Sequence, residues 1–166
     1  MQRGITLLTI ITILLIAEYS QSQTAQSPSS PNNDFLGGST ACDAFIKSQL
    51  KIPESLKCDF MRWRIHMIKG KNGGGTFNMT ISYGEAKPNT NGFIAEHKLE
   101  ANGGFDISTG LHENPETKLV HLHSPNFKSA LLLAQIDQNV FQLTDNDKKF
   151  LVGNGGWSYS LYKMKE

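Results

Sequence analysis

The chain has 166 residues, is 39% hydrophobic and 19% charged, and carries a formal charge of +1 at neutral pH. A balance so close to neutral excludes a protein that grips nucleic acid through a basic face. With 15 glycines and 6 prolines, the composition describes one globular domain rich in turns.

Ile5 to Ala17 is an apolar run preceded by Arg3 and followed by polar Glu18, with the small-x-small segment Ser20-Gln21-Ser22 behind it. That layout predicts a secretory signal peptide over 1–22, with a single transmembrane anchor as the competing reading. Cleavage removes Arg3 and Glu18 together and leaves the net charge unchanged. No cysteine directly follows the apolar run, so a lipid anchor is not expected. The expected product is a periplasmic or secreted monomer without a membrane anchor. Residues 23–39 are polar, proline-bearing and aperiodic, and read as a disordered leader ahead of a single domain over 40–166.

Cys42 to Leu50 is the one predicted helix, with Thr40 as its cap, Asp43 in the first turn and Pro53 beyond its end. Cys42 and Cys58 are the two cysteines. In an exported chain they predict one disulfide, with free thiols or a metal pair as alternatives.

Beyond Pro53 the period changes to two. Met61, Trp63, Ile65 and Met67 alternate with Arg62, Arg64 and His66. Phe77, Met79, Ile81 and Tyr83 alternate with Asn78, Thr80 and Ser82, and Trp157, Tyr159 and Leu161 with Ser158 and Ser160. Each run predicts a strand with one dry face and one wet face. Weaker strands are expected at 93–99, 104–109, 118–123, 128–135, 138–144 and 149–153. Asn-Gly and Gly-rich hinges between them, including Asn102-Gly103-Gly104, read as hairpin turns. About nine short strands leave an up-and-down antiparallel barrel or a sandwich, and short hairpin connections favour the barrel. The fold class is therefore all-β, a meander closed into a small barrel with one short N-terminal helix.

Two stretches resemble a known family. Residues 58–68 (CDFMRWRIHMI), a Gly-rich turn and 75–83 (GTFNMTISY) are similar to the first hairpin of NlpE-type copper-resistance proteins. Residues 138–149 (QNVFQLTDNDKK) resemble a later hairpin of the same family. The resemblance implies a lipocalin-like barrel of the Gram-negative envelope, associated with copper handling and envelope-stress signalling. The family's Cys-x-x-Cys is absent, with Ser55 and Cys58 at its two positions, and so is the lipid-anchor cysteine. Thiolate copper binding and surface tethering are therefore not implied.

Candidate site residues fall into three groups. Trp63, Phe77, Met79, Tyr83 and Phe93, on the expected inward face, either fill the core or line a pocket for a small apolar ligand. His121 and His123 form an H-x-H, so both rings point to one side of a strand. If they face inward with His97, three imidazoles converge on Cu(II) or Zn(II); if Val120 and Leu122 face inward instead, those two histidines lie in solvent. Arg62, Arg64 and His66 form a wet row able to attract an anion or an acidic partner. No nucleophile motif or metalloprotease helix is present, and the carboxylates Glu96, Glu100 and Asp106 fall on wet faces. The expected function is non-enzymatic: a carrier or recognition barrel for a small apolar ligand or an envelope protein. The alternatives are histidine-based copper or zinc handling, and a structural module with a filled core.

Overall fold

The computed structural model describes residues 33–71, 73–111 and 114–165. The predicted signal peptide and residues 23–32 of the predicted leader lie outside these. Eight strands and one helix follow in order: β1 (Asn33–Ala41), α1 (Ala44–Gln49), β2 (Phe60–Lys69), β3 (Gly75–Gly84), β4 (His97–Thr109), β5 (Lys118–His123), β6 (Leu131–Gln135), β7 (Val140–Thr144) and β8 (Ser160–Met164). Each strand pairs antiparallel with the next, and β1 returns to β8, so the sheet is a closed up-and-down barrel without a free edge.

Residues 33–39 correct the predicted leader, because they are the greater part of β1. This strand pairs with β2 from Asn33–Ile68 to Ala41–Phe60, and with β8 through Phe35–Met164, Leu36–Lys163 and Gly37–Tyr162. Leu36 is fully buried. Gly38, which reads as linker in the sequence, is needed for closure. A Cβ at Gly38 would lie 2.7 Å from the Ser160 carbonyl oxygen, whereas one at Gly37 would meet only the flexible end of Met164. The seam is also held by Asp34, which bridges Lys69 of β2 at 2.7 Å and Lys163 of β8 at 3.1 Å. Partial burial works to raise the Asp34 pKa, but the two ammonium groups outweigh it and the net shift is downward.

The helix is shorter than expected and differently capped. Asp43 Oδ1 accepts from the Ile46 amide at 2.8 Å, whereas Thr40 is buried in β1 and its Oγ1 accepts from Trp63 Nε1 at 2.8 Å. Ile46 and Leu50 are fully buried and join the barrel core. The Cys42–Cys58 disulfide ties the end of β1 to the approach of β2. Replacing both cysteines with alanine is expected to cost about 3 kcal/mol on the loop-entropy model. The loss should appear as a lower denaturant midpoint with the strand signal retained.

β2 and β3 form where the two-residue period places them, and β5 covers the weaker expected strand 118–123. The predicted strands 93–99 and 104–109 are one strand, β4, running through Asn102-Gly103-Gly104. Gly103 is there for close approach, since a Cβ would overlap the His123 carbonyl oxygen of β5. The stretch 149–153 forms no strand beyond a Phe150–Thr144 bridge, which leaves eight strands in place of about nine. The closing strand begins at Ser160, three residues later than the period suggests.

One continuous core lies inside the barrel, with Trp63, Phe77, Met79, Ile81, Phe105, Leu122, Phe141 and Tyr159 among its members. Tyr159 also reaches the helix cap, donating to Asp43 Oδ2 at 2.5 Å. Burial, and then the Asp43 carboxylate, raise the Tyr159 pKa above its ordinary 10.0. The folded state therefore holds this proton more tightly than the unfolded chain does. The stabilisation is complete below pH 10.0 and is lost as pH rises beyond it. Denaturant midpoints taken across that range should fall steeply in the native protein, and less steeply in Tyr159→Phe.

Candidate functional site

The expected apolar pocket does not assemble. Trp63, Phe77 and Met79 are 2% exposed or less and pack into the core. Tyr83 lies half-buried at the barrel mouth, stacked on His97 with ring centroids 5.5 Å apart. Phe93 belongs to the β3–β4 connection, where an isolated bridge to Ala86, and not the barrel sheet, holds it. It lies outside the wall, stacked on Phe60 at 4.3 Å, and Trp157 stacks on Phe60 at the same separation. The Arg62 guanidinium sits over both Phe60 and Phe93 and donates to the Asn91 carbonyl.

The three predicted metal-ligating histidines do not converge either. Val120 and Leu122 are the residues of β5 that join the barrel core, so His121 and His123 point outward. His97 shares the inward phase of Leu99 but sits at the open mouth and is exposed. It pairs with Tyr83, whereas His123 pairs with Gly104 near the other end of β4, about 20 Å away along the strand. Among the described residues, no three of the His, Cys, Asp and Glu side chains are placed to hold a metal ion. His121 Nε2 instead lies 2.7 Å from Ser108 Oγ, and His123 Nε2 lies 2.6 Å from Asp106 Oδ2. Ser108 and His121 thus stand at nucleophile–base distance. The neighbouring Asp106 carboxylate is engaged with His123, and among the described residues no other carboxylate orients the base.

What the register does bring together is a recess of about 580 Å³ on the outer face of β2, β3 and β4. Two cross-strand rows form it: His66–Asn78–Asn102 and Arg64–Thr80–Glu100. At one end of the first row Phe35 of β1 stacks on His66, centroids 4.2 Å apart and planes 9° from parallel, and Phe35 in turn pairs with Met164. His66 Nε2 is buried and lacks a hydrogen-bond partner among the described residues. The side chains of Arg64, Asn78, Thr80, Glu100 and Asn102 likewise form no hydrogen bond or ion pair with a described residue. A second recess of about 250 Å³ continues along the face, sharing Arg64 and Thr80 and adding Arg62, Ser82, Glu96 and Lys98.

The wet row Arg62–Arg64–His66 was legible in the alternation of β2, although the structure commits Arg62 to the aromatic stack and leaves Arg64 free. Asn78, Thr80, Glu100 and Asn102 carried no signal of a shared site, since only strand register makes them neighbours. Against family models, curated proteins and solved structures alike, the chain finds no match.

Proposed function

We propose that this chain is an exported, non-enzymatic recognition barrel of the bacterial envelope that binds through the outer face of β2–β4. The observation that carries this reading is the contrast between the two faces of the same strands. The inward side chains belong to one buried hydrophobic cluster, whereas six polar side chains on the outward rows line a recess without satisfying one another. Trp63, Phe77 and Met79, the residues expected to line an interior site, are members of that cluster. The disulfide supports an oxidising compartment. The apolar run Ile5–Ala17 and the resemblance of 58–83 to NlpE-type proteins support an envelope location.

Titration with a fluorescent fatty acid tests the choice of face. Trp63 lies in the core, so its emission, read in a Trp157→Phe background, should remain unchanged. Saturable quenching of Trp63 in that background, removed by Met79→Phe, would move binding into the interior and overturn the outer-face reading.

A further inference from the structure

We infer that the recess on β2–β4 is a site for an uncharged oligosaccharide, an inference that rests on the outer-face reading above. The first argument is charge. Arg64 and Glu100 sit at opposite ends of one row with Thr80 between them, two strand spacings or about 10 Å apart, and are not paired. A compact anion would be drawn by one and repelled by the other, and a compact cation the reverse. The opposite charges of a free amino acid are too close together to meet both. A neutral ligand long enough to span the row satisfies the two without either conflict.

The second argument is hydrogen-bonding chemistry. Arg64, Asn78, Asn102 and Glu100 present planar, two-pronged groups, while Thr80 presents a single hydroxyl. Adjacent sugar hydroxyls each donate and accept, which matches a mixed array of donors, amides and a carboxylate.

The third argument is shape. The Phe35–His66 stack walls one end of the recess, and an aromatic face attracts the polarised C–H bonds on the apolar side of a sugar ring. A volume of about 580 Å³ exceeds what an ion needs, and the adjoining recess along Arg62–Ser82–Lys98 extends the track, which favours a chain of rings over one. An extended peptide is the main competitor. Its usual mode on a sheet is to add a strand at an edge, and this barrel has none.

Amide correlation spectra of the purified chain, titrated with neutral trisaccharides (cellotriose, maltotriose and N,N′,N″-triacetylchitotriose), provide the test. At least one should produce saturable shifts at Asn78, Thr80, Glu100 and Asn102. Thr80→Trp fills the recess from its outward side and should abolish those shifts with the fold intact. If that variant misfolds, Asn78→Ala with Asn102→Ala should weaken binding by about tenfold or more. Failure of all three sugars at millimolar concentration overturns the saccharide assignment. Shifts at the same residues with tripeptides but not sugars overturn it too, while leaving the outer-face reading standing. Sugar-induced shifts centred on Trp63 and Phe77 overturn both.

Discussion

A chain cut to begin at Cys42, lacking β1, is expected to lose its cooperative unfolding transition altogether. Its removal bares the edges of β2 and β8 at once, because β1 is the only strand joining them. Burial of Leu36, worth roughly 1.5–3 kcal/mol, is lost. Trp63 Nε1 also loses its Thr40 acceptor deep in the core, at about 1–3 kcal/mol. Set against a domain stability of about 5–15 kcal/mol, these losses and an opened sheet leave no folded barrel. Thermal melts followed by circular dichroism, with a hydrophobic dye reporting exposed core, provide the check. A sharp transition in the truncated chain would mean that β2 and β8 close on each other and that β1 is an accessory.

The second large effect is local. Trp63→Ala should destabilise the protein by about 3–5 kcal/mol, because Trp63 is 1% exposed and its loss leaves a cavity and removes the indole hydrogen bond to Thr40 Oγ1. Trp63→Phe, which keeps most of the volume but drops the hydrogen bond, should cost less. Arg64→Ala, one residue further on and outward, should stay within about 0.5 kcal/mol of the native protein. Denaturant titrations of the three variants compare the two sides of a single strand. Similar losses at 63 and 64 would contradict the inward–outward division of β2.

How far the sequence discloses this molecule depends on what sets the phase of each segment. In β2 and β3 the alternation is clean, and it locates both the strands and the buried faces of Trp63, Phe77 and Met79. In β5 it is not. Leu119 faces outward yet is fully buried, packed in a second small cluster with Leu111 and Ala134 on the outside of the barrel. Apolar residues thus fall on both sides of β5, and the sequence offers no phase from which to orient His121 and His123. Phe93 fails for a different reason, since its alternation with Ala95 and His97 extends past the strand into a connection. β1 is hidden because Gly38 serves packing against β8, more than a hundred residues away, and local composition carries no trace of that. The outer recess lay further still from view. Its residues are individually ordinary wet-face side chains, and only the pairing of 64 with 80 and 80 with 100 makes them one surface.

The seam between β1 and β8 has a consequence for how the molecule is made. Synthesis proceeds from the N-terminus, so β1 emerges among the first elements of the barrel, and one of its two neighbours emerges last. Until Met164 has left the ribosome the cylinder stays unzipped along one side, with Leu36 half-housed and two strand edges open to any passing chain. Long-range pairing of this kind is slow to form and vulnerable while it waits. A nascent chain of this design therefore exposes unpaired strand edges until the final strand arrives.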